Sequence, residues 1–308
     1  MLQPSTDTDI IILLSHSGVE NKMKLGFIGT GVMGCAMAGH LQAAGNELYI
    51  YNRTKEKAQS LIDRGATWCS AVGEVAQKAD IIFTIIGMPN DVEDVYLGKD
   101  GLIACAKKGT ILIDMTTSKP ELAKKIYDAG IRKDIACVDA PVTGGDVGAK
   151  NATLTIFLGG DAQICQQLMP YFEIMGKHIT YLGEAGSGQH GKMANQIAIS
   201  GAAVGMVESL TYAKAAGIDL TKIQEAISTG SGGSWQMTNM APRAIAGDFN
   251  PGFYIKHFIK DMKIAVQEAK ANQVDLPGLE LALNQYEKLQ EQGFEDLGTQ
   301  GLYKLYNE

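Results

Sequence analysis

The sequence has no run of basic residues, and its formal net charge is −7. A nucleic-acid surface needs a basic stripe to meet phosphates, so that class of partner is set aside. Cysteine is scarce and scattered, with five residues at positions 35, 69, 105, 137 and 165 and no C-x-x-C pair. An odd count at such spacings suits neither a disulfide framework nor a zinc site; it suits a reducing cytoplasm, and no metal is expected. The five histidines are equally dispersed. There is no internal repeat, no low-complexity tract, and no apolar run long enough to span a membrane. The apolar run 10–14 counts only five residues and follows Asp7 and Asp9, where a secretion signal would carry lysine or arginine. Residues 1–22 are therefore read as an extension outside the fold.

What is present is an ordinary globular composition, 45% hydrophobic and 20% charged over 308 residues, with room for two domains. From Lys24 the pattern alternates. Apolar strands are expected over 24–29, 47–51, 81–86, 110–114, 136–139, 154–158 and 179–182. Between them, 55–64, 71–78, 91–96, 120–129 and 162–175 carry helical spacing. This alternation predicts an α/β domain whose mostly parallel sheet is covered on both faces. After residue 182 only helical patterns follow, interrupted at 231–234 and 247–252.

A glycine-rich turn, Gly186-Ser187-Gly188-Gln189-His190-Gly191, leads into Lys192-Met193-Ala194-Asn195-Gln196 and a long apolar helix. The pattern runs for about 25 residues, or roughly 38 Å at 1.5 Å per residue. Ile197, Ile199, Val204, Met206, Val207 and Leu210 place apolar groups on every side, the mark of a buried helix. Asn195, Gln196, Glu208 and Lys214 interrupt it too often for a membrane span. A helix apolar all round needs cover all round, which predicts a homo-dimer or homo-tetramer. Lys192 at its entry either snorkels its amine to water or holds it in a partly desolvated site.

The first strand runs into Gly29-Thr30-Gly31-Val32-Met33-Gly34 and then a helix, the context that gives a G-x-G-x-x-G spacing its meaning. Gly29 permits the tight turn, Gly31 lets a pyrophosphate approach the backbone, and Gly34 lets helix and strand pack closely. The helix N-terminus then faces the phosphates. The expected fold is thus a Rossmann-type dinucleotide-binding domain over 23–185, followed by an all-helical domain over 186–308 joined through the long buried helix. After the second strand, an NAD site usually has an acidic residue for the ribose hydroxyls. This chain has Asn52-Arg53-Thr54. An amide, a guanidinium fork and a hydroxyl suit a 2′-phosphate, so NADP(H) is expected in preference to NAD(H).

Four separated motifs stand in order: Gly29–Gly34, Asp139-Ala140-Pro141-Val142-Thr143-Gly144-Gly145, the stretch from Gly186 through Lys192 to Gln196, and Phe253 with Lys260-Asp261. Together they resemble the β-hydroxyacid dehydrogenase family, which includes 3-hydroxyisobutyrate dehydrogenases, tartronate semialdehyde reductases and glyoxylate/succinic semialdehyde reductases. Met88-Pro89 and Asp114-Met115-Thr116-Thr117-Ser118-Lys119-Pro120 also resemble its cofactor-contacting loops. The resemblance implies an NAD(P)-dependent oxidoreductase acting on a small carboxylate-bearing aldehyde or hydroxy acid. It implies Lys192 as general acid/base at the substrate oxygen, Thr143, Gly144 and Gly145 around the substrate carboxylate, and Asn195 and Gln196 orienting the substrate. Met88, Pro89 and Thr117 would line the nicotinamide side. Phe253, Lys260 and Asp261 would belong to the cofactor side, with Lys260 closing over it. Thr143 stands where the family commonly has serine, and Gln196 where many members have asparagine, which bears on the particular substrate.

The chemistry stands apart from the resemblance. Hydride delivery to an aldehyde leaves an alkoxide, which needs a proton donor within hydrogen-bond reach. A lysine whose pKa is lowered by desolvation or by a second ammonium can fill that role near neutral pH. Two alternatives compete: an imine reductase-like enzyme, and a non-catalytic nucleotide-binding or scaffold member of the same fold. Both would be expected to lack the lysine.

Overall fold

The structure, a computed structural model, describes residues 23–307. The extension expected over 1–22 lies outside the described residues. Among these, nine strands form one sheet: β1 Leu25–Ile28, β2 Leu48–Tyr51, β3 Thr67–Trp68, β4 Ile81–Thr84, β5 Ile111–Asp114, β6 Ala136–Asp139, β7 Val142–Thr143, β8 Leu154–Gly159 and β9 Gly176–Gly183. The spatial order is β3-β2-β1-β4-β5-β6-β8-β7, with β9 also pairing β8. From β3 to β6 every pairing is parallel. Beyond β6, β8 turns antiparallel to both β6 and β7.

The central strands are apolar without alternation. Leu25-Gly26-Phe27-Ile28 and Ile81-Ile82-Phe83-Thr84 are buried at every position, as strands covered on both faces must be. On one side they meet Met37, Leu41, Leu168 and Phe172; on the other, Val92, Tyr96, Leu122 and Ile126. The expected strands survive, with some ends moved. β1 stops at Ile28 because Gly29 turns away with φ +96°. The segment 55–64 is a short 3-10 turn, Lys55–Ala58, followed by one α turn, Gln59–Ile62. Two-residue strands such as β3 and β7 are too short to leave an alternation in sequence.

The helix Ser187–Ala215 spans 29 residues and carries the chain out of the sheet. It buries Lys192, Met193, Gln196, Val207 and Leu210 against the sheet domain and the later helices. Within the single chain one side of this helix stays open. Ala194, Ala198, Gly201 and Gly205 form an exposed stripe. A Cβ added at Gly201 or Gly205 would meet nothing within 4 Å. On its other faces pack the helices Ile255–Ala271 and Pro277–Glu291. Phe258 of the first meets Tyr286 of the second edge to face, centroids 5.1 Å apart.

Candidate active site

The C-terminal ends of the parallel strands share one edge of the sheet, which is where open α/β sheets bind ligands. At the end of β1 the glycines are required rather than convenient. A Cβ at Gly29 would lie 2.1 Å from the Ile85 carbonyl oxygen, and one at Gly34 would lie 1.9 Å from that of Gly29. Gly31 differs, since a Cβ there meets nothing within 4 Å, so open ground lies before the helix Val32–Ala43. Bare backbone, open space and a helix N-terminus suit the pyrophosphate of a dinucleotide. Val32 is exposed beside it and Met33 packs on the core.

The Thr30 N–H donates to Asn52 Oδ1 at 3.1 Å, and Asn52 Nδ2 donates to the Thr54 carbonyl at 2.8 Å. Both ends of the Asn52 amide therefore tie loops together. Arg53 stands exposed beside it, its Nη1 3.2 Å from Asp91 Oδ1. Asp91 also accepts the Met88 N–H at 3.1 Å, and so caps the helix Pro89–Leu97. Arg53 and Asp91 thus join the loops after β2 and β4.

At the other end of the cleft, residues far apart in sequence form one polar chain. Asn195 Nδ2 reaches Thr143 Oγ1 at 3.3 Å and Gln196 Oε1 at 2.8 Å. Gln196 Nε2 donates to Asp261 Oδ2 at 2.7 Å. Asp261 Oδ1 pairs with Lys260 Nζ at 3.0 Å, and that ammonium donates to the Thr117 carbonyl at 2.6 Å. Gly144 and Gly145 follow Thr143 with φ values of +131° and +63°, which L side chains rarely adopt. Phe253 is not part of this chain. It stacks near His257 and meets Phe258 edge to face, packed on the core of the helical region.

Lys192 is 5% exposed, one helical turn from Asn195 and Gln196. Burial drives its amine down to about 8; the Asp261 carboxylate opposes that shift and the Lys260 ammonium adds to it. The snorkelling alternative is excluded by this burial.

Three buried groups behind the site had no assigned role in the sequence. Asp139, at the end of β6, accepts the N–H groups of Gly186 and Gln189 at 2.7 and 2.8 Å, anchoring the first turn of the long helix. Burial raises its carboxyl pKa despite those bonds. Asp114, beside it in register at the end of β5, accepts from Thr84 Oγ1 and the Thr116 N–H, both at 3.0 Å. Burial lifts Asp114 to about 6, outweighing these bonds. Gln189 is 0% exposed and bonds the Thr116–Ser118 loop. Its place three residues before Lys192 was the signal that could have marked it, since such residues share a helix face.

Residues 24–183 match the NAD binding domain of 6-phosphogluconate dehydrogenase. Residues 186–306 match the NAD-binding domain of NADP-dependent 3-hydroxyisobutyrate dehydrogenase. The chain is 47% identical over 280 residues to a probable mitochondrial 3-hydroxyisobutyrate dehydrogenase-like protein of Arabidopsis thaliana, covering 91% of this chain and 84% of that one. It is 36% identical over 255 residues to the 2-hydroxy-3-oxopropionate reductase of Escherichia coli, covering 83% and 87%. Among solved structures, Psf3 in complex with NADP+ and 2-OPP superposes with a TM-score of 0.85 at 26% identity, covering 91% of this chain and 99% of Psf3.

Proposed function

The chain belongs to the β-hydroxyacid dehydrogenase family, and from that premise we propose that Lys192 is its general acid/base. It is an NAD(P)-dependent hydroxyacid dehydrogenase. The reaction we assign is the interconversion of a short aldehyde acid and its hydroxyacid, with NADP(H) preferred. The observation that carries this reading is the buried Lys192 amine, held down to about 8, beside the polar chain from Thr143 to Lys260.

When bound, the nicotinamide dinucleotide supplies or accepts the hydride. In the reductive direction Lys192 gives its proton to the carbonyl oxygen as that carbon is reduced; in the oxidative direction it takes the proton back. Thr143, Gly144 and Gly145 hold the substrate carboxylate through a hydroxyl and bare backbone N–H groups. Asn195, bonded to Thr143, orients the substrate, and Gln196 links that side to Asp261. Lys260 closes the cleft by its bond to the Thr117 carbonyl, beside Met88 and Pro89. Phe253 supports that closure from behind.

Gly29, Thr30, Gly31, Val32, Met33 and Gly34 take the pyrophosphate. Arg53, with Asn52 and Thr54 shaping its loop, takes the 2′-phosphate. Support for NADP(H) comes from the absence of an acidic residue at 52–54 and from the NADP+ named with Psf3. The cofactor domain is taken as 23–185 and the helical domain as 186–308. The exposed stripe of Ala194, Ala198, Gly201 and Gly205 supports self-association as a dimer or tetramer. No helix among the described residues is long and apolar enough to cross a membrane, and a cytoplasmic location is kept as part of this reading.

The test is a panel of glyoxylate and succinic, tartronate and methylmalonate semialdehydes, each assayed with NADPH and NADH. At least one acid should turn over with NADPH, faster than with NADH. No turnover of any acid would sink the substrate class; a preference for NADH would sink the cofactor assignment alone.

A further inference from the structure

Gln189 is buried completely, yet both ends of its side chain are used. Its Oε1 accepts the Ser118 N–H at 2.9 Å, and its Nε2 donates to the Thr116 carbonyl at 2.8 Å. The amide therefore grips the peptide groups on either side of Thr117, as a neighbouring strand would. Between those two grips, the Thr117 carbonyl accepts from Lys260. From the far side, Thr116 Oγ1 accepts the Ile86 N–H at 3.0 Å, and the Thr116 N–H is held by Asp114. The loop is fixed at successive peptide groups, and it lies along the nicotinamide side of the cleft in the reading above.

Gln189 is itself fixed. Its backbone N–H goes to Asp139, on the strand next to the one from which the loop departs. Lys192 follows three residues later on the same helix face, where side chains stand about 5–6 Å apart at Cβ. Any shift of the loop relative to the helix must therefore break a buried amide contact that water cannot replace. Gln189 is thus the side chain through which the first turn of the long helix holds this loop.

We propose that Gln189 is a positioning residue for hydride transfer. It fixes the register between the loop beside the nicotinamide and the helix turn that presents Lys192, so that proton and hydride reach one carbonyl group together. This rests on the general acid/base reading of Lys192. Gln189 touches neither reactant; it acts through the Thr116–Ser118 loop and through Lys192.

The experiment replaces Gln189 with methionine, close in volume but unable to make either bond. Steady-state kinetics use the fastest aldehyde acid of the panel, with reduced cofactor carrying protium or deuterium at the transferred position. A misplacement on the ångström scale costs up to about a hundredfold in rate. The expected result is a kcat lower by about ten- to a hundredfold, a larger isotope effect on kcat, and a cofactor Kd within about threefold of wild type. Unchanged kcat and isotope effect in a folded Gln189→Met protein would overturn the proposal, leaving a structural tie. So would a cofactor Kd weakened by the same factor as kcat/KM. If the methionine variant does not fold, Gln189→Glu is read instead. Its neutral acid form can restore the donor to Thr116, so its kcat relative to wild type should rise as pH falls; a constant ratio overturns the proposal. Lys192→Met, run in parallel, separates the two readings. If it keeps its turnover the acid/base assignment fails, whatever the Gln189 variants do.

Discussion

Gln196 donates to the Asp261 carboxylate at 2.7 Å, joining the helix that carries Lys192 to the helix that carries Lys260. Asp261 is also the carboxylate that raises the Lys192 amine against the effect of burial. One acidic side chain therefore ties the two helices together and raises the proton affinity of the proposed acid.

The first prediction concerns pH. Reduction needs Lys192 protonated, so kcat/KM in that direction should fall as pH rises through about 8. Oxidation needs it neutral and should rise through the same region. Asp261→Asn removes the opposing carboxylate and should move both midpoints to lower pH. Profiles measured in both directions decide it; midpoints unmoved by Asp261→Asn would assign the titration to another group.

Lys192→Met should lower turnover by roughly 10²–10⁴-fold, the range of a lost acid/base, while cofactor affinity holds. The same variant should fold more stably at pH 7. A lysine lowered to about 8 costs the folded state most where it is charged in both states, below about 8, and the cost fades as pH rises toward 10.5. Denaturant midpoints at pH 7 should favour the variant, by up to about 3 kcal/mol. By pH 10.5 the difference should have shrunk.

Asp114 should leave its own mark on stability. Its carboxyl is raised from 3.8 to about 6, so its contribution is fully present below 3.8 and is lost as pH rises through about 6. Asp114→Asn keeps an oxygen for Thr84 and the Thr116 N–H and has no charge to bury. Urea melts at pH 4 and pH 7 should show a smaller loss between the two for the variant than for wild type.

Much of this site was legible in sequence because its parts are local. Gly29 and the pair Gly144 and Gly145 hold positive-φ conformations that only glycine takes without strain, so the residue type reports the geometry. What stayed hidden depends on pairings between distant segments. Nothing near Asn52 foretells that its amide oxygen is taken up by the Thr30 N–H, 22 positions away. Nothing near Gln189 names Thr116 and Ser118, more than 70 positions away, as its partners. Phe253 is the converse case, since an aromatic side chain beside a motif serves core packing as readily as a site.

Arg53→Gln should weaken NADPH binding by about tenfold or more and leave NADH nearly unchanged, since a hydrogen bond to a charged group is worth about 1.5–3 kcal/mol. The pair with Asp91 is exposed and contributes little by itself. Fluorescence titration of both cofactors is the measurement, and equal losses for NADPH and NADH would remove Arg53 from the 2′-phosphate.

The acid group of the substrate should dominate selectivity. Succinic semialdehyde should exceed butanal by about a hundredfold in kcat/KM, the scale of about 3 kcal/mol for polar groups left unpaired. Thr143→Val should narrow the ratio by slowing only the acid. Comparable efficiencies for the two wild-type substrates would make Thr143-Gly144-Gly145 an ordinary turn.

The bond from Lys260 to the Thr117 carbonyl spans 143 positions of the chain. On the ribosome those two ends exist at different times. At about 5–20 residues per second the sheet and the glycine turn have emerged well before Lys260 does, roughly 3–14 s after Lys192. For that interval the chain has been made without the ammonium that ties its helical part back to the loop at Thr117.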